Sequence, residues 1–272
     1  MKKLSLMTII AAVLITVSAK ANEPNNLNKI IISGTGDSFE LFQNLAEAFE
    51  AKYSGCKIEI PESVGSTAGI KAVIGGKADI ARVARPLKDN EKAAGLTEQV
   101  FANTPVVFAV RPDTNGIDNI TTEQVLGIYK GEIKDWSQLG ATAGKIYPLT
   151  REQGDSALRI LVENMAGFAD INSPAGKVMY LTPEAVATML EHKQTICYLP
   201  LSAVVNTELK VLKIDGVEPT NKKVLSGEYK YLIPLGVVCK GEPKGLVKKF
   251  IDFLYSSDAG KIIMSMGAVP VQ

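Results

Sequence analysis

The chain has 272 residues, of which 46% are hydrophobic and 22% charged, the balance of a folded globular protein with room for two domains. That composition excludes a disordered, collagen-like or low-complexity chain. Thirty basic residues against 29 acidic ones leave a formal charge of +1, so no global basic field points to nucleic acid.

At the N-terminus, Lys2 and Lys3 precede an uncharged, mostly apolar stretch from Leu4 to Val17, followed by Ser18-Ala19-Lys20-Ala21. A basic start, an apolar segment of fourteen residues and a small-residue site predict a signal peptide over residues 1–21, cleaved near Ala21. The apolar segment is short for a membrane span, which needs about twenty residues. Loss of Lys2, Lys3 and Lys20 leaves 27 basic against 29 acidic residues, a net charge of −2. An exported, soluble, slightly acidic protein is expected.

The rest reads as strands alternating with helices. Lys29–Ser33 is a β-branched strand that breaks at Gly34-Thr35-Gly36, and Leu41, Phe42, Leu45, Ala46 and Phe49 then recur at helical spacing over Glu40–Tyr53. Asp37, with Glu40 three residues on, fits a capping box. A second strand, Lys57–Pro61, breaks at Val64-Gly65-Ser66-Thr67-Ala68-Gly69 before a short helix through Ala72 and Ile74. Further strands are expected at Val106–Val110, Ile146–Thr150, Thr195–Leu199, Val211–Ile214 and Leu232–Val238. Helices are expected at Glu123–Tyr129, Ala157–Ala166, Pro183–Lys193, Gly245–Tyr255 and Ala259–Met266. The alternation predicts an α/β fold. No repeat of 20–50 residues is visible.

Three strand-to-helix loops carry the candidate chemistry. Each is rich in glycine and hydroxyl residues and opens a helix: Gly34–Phe39, Val64–Gly69 and Arg151-Glu152-Gln153-Gly154-Asp155-Ser156. A helix N-terminus has unpaired N–H groups and about half a positive charge, so it favours anions. One such loop is an ordinary N-cap. Three, with Arg82, Arg85 and Arg151 near them in sequence, point to an oxyanion site.

Other motif readings fail on detail. Gly34-Thr35-Gly36 lacks the third glycine of a dinucleotide fingerprint, because Phe39 stands in its place. No G-K-[ST] follows either loop. Gly154-Asp155-Ser156-Ala157-Leu158 resembles the start of G-D-S-L hydrolases, but a serine nucleophile needs a positioned base. The only histidine, His192, follows Glu191 near a predicted helix end. One histidine and three scattered cysteines, Cys56, Cys197 and Cys239, supply no zinc site. Export permits one disulfide among them, and small buried hydrophobes are the other reading.

The loops, taken in order, resemble the periplasmic phosphate-binding proteins of Pst-type ABC transporters. Gly34–Phe39 and Val64–Lys71 are similar to the first two ligand loops of that family, and Ala78–Leu87 continues the likeness. Thr122–Trp136 resembles its "G-x-I-x-x-W" stretch, Arg151–Ala157 its R-x-x-G-S-G-T loop and Thr195–Pro200 its "A-I-G-Y" strand. Phe250–Ser256 and Gly267–Pro270 resemble its C-terminal signature.

The resemblance implies a two-lobed type II periplasmic binding protein, each lobe a mixed, mostly parallel sheet flanked by helices. Lobe I would comprise 22–110 and 230–272, and lobe II 111–229. Such a protein captures phosphate or a related tetrahedral oxyanion and delivers it, as a monomer in the periplasm, to a permease in the inner membrane. No enzyme activity, metal, cofactor or nucleic acid is implied. Carried across by position, Ser38 and the Phe39 N–H, Ser66 with Thr67, Arg151, and the backbone at Ser156 and Ala157 would bind the anion. Arg85 is a further candidate, as a second cation or as the partner of a surface carboxylate.

Three departures accompany it. The family's acceptor carboxylate aligns with Ala84, its third-loop threonine with Ala157, and one of its serines with Asp155. Asp155 then either replaces the acceptor or caps its helix. Asp37 either adds negative charge to the site or caps its own helix. Altered anion specificity, with a sensing or adaptor role, is the alternative function, and a Ser156-dependent hydrolase is a further one.

Overall fold

The computed structural model describes residues 28–271, so the predicted signal peptide lies outside the described residues. In chain order the elements are β1 (Lys29–Gly34), α1 (Phe39–Lys52), β2 (Lys57–Glu59), α2 (Gly65–Ile74), β3 (Ile80–Val83), α3 (Asp89–Lys92), β4 (Leu96–Val110) and β5 (Asn119–Ile120). Then come α4 (Thr122–Tyr129), β6 (Tyr147–Arg151), α5 (Ser156–Asn164), β7 (Lys177–Met179), α6 (Thr182–Glu191), β8 (Thr195–Pro200), β9 (Lys210–Val211) and β10 (Lys213–Ile214). The chain ends with α7 (Asn221–Leu225), β11 (Leu232–Lys240), α8 (Gly245–Leu254), α9 (Ser257–Ser265) and β12 (Val269–Pro270).

The strands form a mixed sheet in the order β2-β1-β3-β11-β4-β8-β6-β7. Its two flanks are parallel: β1 pairs with β2 and β3, and β6 with β7 and β8. The centre is antiparallel, and one long strand makes it continuous. Leu96–Pro105 of β4 pairs with β11, whereas Val106–Val110 pairs with Ile196–Pro200 of β8. β4 therefore passes from one half of the sheet to the other.

Each half has its own aromatic packing. In the first, α1 buries Leu41, Phe42, Leu45, Ala46 and Phe49, the spacing read from the sequence. Phe42 meets Phe101 of β4 edge-on at 5.5 Å, and Phe49 meets Phe250 of α8 at 5.1 Å. In the second half, Tyr198 of β8 packs on Tyr129 of α4 at 5.3 Å and on Phe168 at 5.9 Å. Each such ring adds about 1.5–3 kcal/mol when removed from water.

Several expectations need correction. Asp37 does not cap α1: the N-cap is Ser38, without a side-chain capping bond, and the Asp37 carboxylate turns elsewhere. The strand expected at Val106–Val110 begins at Leu96, because polar Glu98, Gln99, Asn103 and Thr104 interrupt the apolar run while its backbone still pairs. The strand expected at Val211–Ile214 is two short strands, one on β4 and one on β5. β3 was invisible because its four buried residues include Arg82. All three cysteines are free thiols, Cys197 and Cys239 buried and Cys56 half-buried.

Candidate ligand-binding site

The loops after β1, β2 and β6 end against one another between the two halves of the sheet, around a cavity of about 260 Å³. Helices α1, α2 and α5 start beside it. Close approach depends on glycine. A Cβ on Gly69 would lie 2.6 Å from the Cα of Gly34, so the start of α2 can sit against the end of β1 only without a side chain there.

Behind these loops lies Arg82, fully buried on β3. Its Nη1 donates to the Thr35 carbonyl at 2.6 Å and its Nη2 to the Pro61 carbonyl at 2.8 Å, which ties the first loop to the second. Burial pushes its pKa down to about 10, partly offset by the negative charge of Asp37. It stays charged at neutral pH. Its guanidinium lies 5.1 Å from the centre of the Phe39 ring. Of the three arginines grouped by sequence, Arg82 is the one that fastens the loops rather than lining the cavity.

On the same side, Ser66, Thr67 and Arg85 line the cavity. Ser66 Oγ accepts from the Ala84 N–H at 3.2 Å, and Thr67 Oγ1 accepts from Arg85 Nη2 at 3.1 Å. Arg85 also grips both carboxylate oxygens of Glu91 at 2.8 Å, which holds that carboxyl below its usual range. Arg85 thus pairs with a carboxylate, as one of its two sequence readings has it, and it also borders the cavity.

From the other half come Arg151, Asp155, Ser156 and Thr182. Arg151 is the last residue of β6. Its Nε and Nη2 donate to Asp155 Oδ2 at 3.0 and 2.8 Å, and Nη2 also donates to Thr182 Oγ1 at 3.0 Å. Its Nη1 is buried without a partner among the described residues. Burial opposes the Arg151 charge, but Asp155 and the other negative groups outweigh it and raise the pKa. Asp155 caps α5, accepting from the Leu158 N–H at 2.9 Å. Burial raises its carboxyl pKa, against the pull of Arg151.

The first loop crosses to this side through Asp37. Its carboxylate accepts from Thr182 Oγ1 at 2.7 Å and from Ser156 Oγ. Its backbone carbonyl accepts from Ser202 Oγ at 2.6 Å. Asp37 is only 2% exposed, so these hydroxyls replace the water it would otherwise bind.

The structure thus gathers Ser66, Thr67, Arg85, Arg151, Asp155 and Ser156 on one cavity. Ser38, Phe39 and Ala157 are not on it. Ser38 is buried with its Oγ unpartnered, and the Phe39 N–H already donates to the Gly36 carbonyl at 3.2 Å. Ala157 is buried in the core behind the loop, as is Ala84 on the other side. The Ser156 hydroxyl faces Asp37, and His192 borders a separate cavity, so the hydrolase reading has no histidine base.

A sequence model of the PBP superfamily domain matches residues 19–258. The chain belongs to the PBP superfamily. This superfamily member is 29% identical over 265 residues to the phosphate-binding protein PstS of Bacillus subtilis (strain 168), covering 93% of the chain and 84% of that protein. A solved chain from Clostridium perfringens, assigned as a phosphate ABC transporter substrate-binding protein and holding bound phosphate, superposes with a TM-score of 0.79. It is 29% identical, over 90% of this chain and 100% of that one. An ABC-type phosphate transport receptor from Vibrio cholerae superposes at 0.63 with 27% identity, over 88% and 99% of the two chains.

Within this PBP-superfamily site, sequence reasoning missed Thr182 and the orientation of Asp37. Thr182 had a signal: Thr182-Pro183-Glu184 is a helix-start pattern, with proline in the first turn. Nothing local told that this helix start would face the other two loops. The same holds for Tyr180, an exposed ring at the cavity edge.

Proposed function

We propose that this chain is an exported solute-binding protein that captures phosphate, or a closely related tetrahedral oxyanion, for an ABC importer. The carrying observation is a cavity of about 260 Å³ that Arg151, whose buried Nη1 has no partner among the described residues, shares with Ser66, Thr67 and Arg85 from the other half of the sheet. A buried N–H group without an acceptor is costly, and an oxyanion would supply that acceptor. The N-termini of α2 and α5 add backbone donors and positive partial charge. The relatives named for phosphate binding and phosphate transport support the same reading.

In this reading the lobes are 22–110 with 230–272, and 111–229. The course of β4 across both halves of the sheet supports a division near residue 110. An anion entering between the halves exchanges water for charge-assisted donors, and closure then shields it. Cleavage near Ala21 would release a monomer into the periplasm, where its exposed surface meets the permease. No helix among the described residues is long and apolar enough to cross a membrane.

Titration calorimetry on residues 22–272, unfolded and refolded to remove carried-over ligand, tests the proposal. Phosphate and sulfate would be titrated separately near pH 5.5 and pH 8. Saturable one-to-one phosphate binding is expected at both. Absence of binding by either anion would sink the assignment.

A further inference from the structure

The half of the sheet that carries Arg151 holds a second cavity, of about 520 Å³ against about 260 Å³ for the first. It lies at the starting ends of the parallel strands β6, β7 and β8, where Tyr147, Lys177 and Thr195 line it. The anion cavity lies at the finishing end of β6, at Arg151, so about 13 Å of strand separates the two. The wall of the second cavity is apolar, with Ile128, Ile133, Ile146, Pro148 and Leu149 on it. The loop before β7 lies close against β6 because residue 176 is glycine: its φ is +119°, and a Cβ there would lie 2.1 Å from the Pro148 carbonyl oxygen. The rim, in contrast, is basic. Lys134, Lys145, Lys177, Lys193 and His192 line it, and among the described residues no aspartate or glutamate does. Lys193 has Asp113 at 3.9 Å, whereas Lys134, Lys145 and Lys177 have no ion-pair partner among the described residues. Lys145 Nζ stands 4.9 Å from the centre of the half-exposed Tyr147 ring. The carboxylate of Asp135, next to Lys134 in sequence, is turned to the N–H groups of Ser137 and Gly144. Glu132 and Glu191 are exposed and stand off the lining.

We propose that this cavity is a second binding site, for a small amphipathic anion: an apolar chain or ring covers the wall, and one carboxylate meets the lysines of the rim. Its volume falls within the range of small-molecule sites, about 300–1,000 Å³, and an apolar lining with a few polar groups is their usual character. Each part of the ligand is needed for a separate reason. An inorganic oxyanion leaves the apolar wall uncovered and meets only exposed lysines, which are strongly hydrated point charges. A neutral apolar molecule leaves the basic rim unanswered, and a cationic one is repelled by it. The alkyl stems of the lysines extend the apolar wall towards the mouth while their charges stay in water. No residue lines both cavities, so the inference stands apart from the phosphate reading.

Decanoate is the probe, titrated by calorimetry into residues 22–272 with and without an excess of phosphate. Acetate, the head without the body, and decyltrimethylammonium, the same body with the opposite charge, are the controls. Saturable one-to-one decanoate binding is expected, unchanged by phosphate, and neither control should bind. The double substitution Lys145→Glu with Lys177→Glu should weaken decanoate by about tenfold, since two attractive charges become repulsive ones. Thr188→Trp, which fills the cavity from α6, should abolish binding. Absence of saturable decanoate binding to the wild type would overturn the site. Equal binding of decyltrimethylammonium would overturn the selection of anions. Loss of decanoate binding on adding phosphate would put the probe in the anion cavity and overturn a second site, as would unchanged affinity in both folded variants. Circular dichroism checks folding, and the lysine variant decides alone should Thr188→Trp not fold. Phosphate titrated into the same samples keeps the two readings apart: a chain that binds decanoate but not phosphate retains this site and loses the other.

Discussion

Arg151 is the side chain on which the anion reading leans most, and its surroundings explain why arginine stands there. Two of its nitrogens are spent on Asp155 and Thr182, which fix the plane of the guanidinium. The third, Nη1, is buried without a partner among the described residues, and in the proposed reading it meets the anion. Lysine offers one point charge and cannot hold Asp155 through two nitrogens while presenting a further one. Arg151→Ala should therefore weaken phosphate binding by about 2–5 kcal/mol, the usual effect of removing one partner of a buried charge pair. Calorimetry beside the wild type measures it, and unchanged affinity would remove Arg151 from the site. The same substitution strands the Asp155 carboxylate, so a loss of stability is expected too. Cys197, beneath this network, takes no part in it: burial pushes its thiol up to about 12, and it stays protonated.

At the scale of elements, the cleft depends on how closely the loop after β1 can approach the start of α6. Gly36 decides that distance. A Cβ there would lie 2.6 Å from Pro183 Cδ and 2.9 Å from Ser63 Oγ, inside any real contact. Gly36→Ala should hold the two halves apart and raise the phosphate Kd by about 5- to 100-fold, the effect of roughly 1–3 kcal/mol of overpacking. The melting temperature without ligand should change little, because the strain falls on closure and not on either core. A variant with wild-type affinity would mean that the loops do not close on each other. The three loops were legible in the sequence because each is a β-branched run broken by glycine and hydroxyl residues. That pattern put Arg151, Ser66 and Thr67 in the loops, and they do line one cavity; their part in binding was implied by the resemblance alone. Asp37 was misread because an aspartate beside a helix start is an ordinary cap. Its actual partner, Thr182, lies 145 residues further along the chain. β3 and the first part of β4 were missed for a related reason. Their place is set by backbone pairing with β1 and β11, not by an apolar pattern of their own.

For the whole molecule, what matters in the proposed reading is that one ligand would touch both halves of a sheet that β4 makes continuous at its centre. Among the described side chains, Ser156, Thr182 and Ser202 donate across the cleft to Asp37. An anion between Arg151 on one side and Ser66, Thr67 and Arg85 on the other would add ties of the same kind, but only in the folded, closed chain. Binding to the native state alone stabilises it by mass action, by about 2.7 kcal/mol at a hundredfold excess over Kd. For a chain of this size each kcal/mol raises the melting temperature by about 2–4 °C, so saturating phosphate should raise it by about 5–11 °C. The shift should grow with the logarithm of phosphate concentration and merge into a single transition, since a ligand bridging two halves couples their unfolding. Differential scanning calorimetry of the refolded chain over a phosphate series measures both features. A rise confined to one of two separate transitions would place the anion within one half, and the cleft between them would then not be its site.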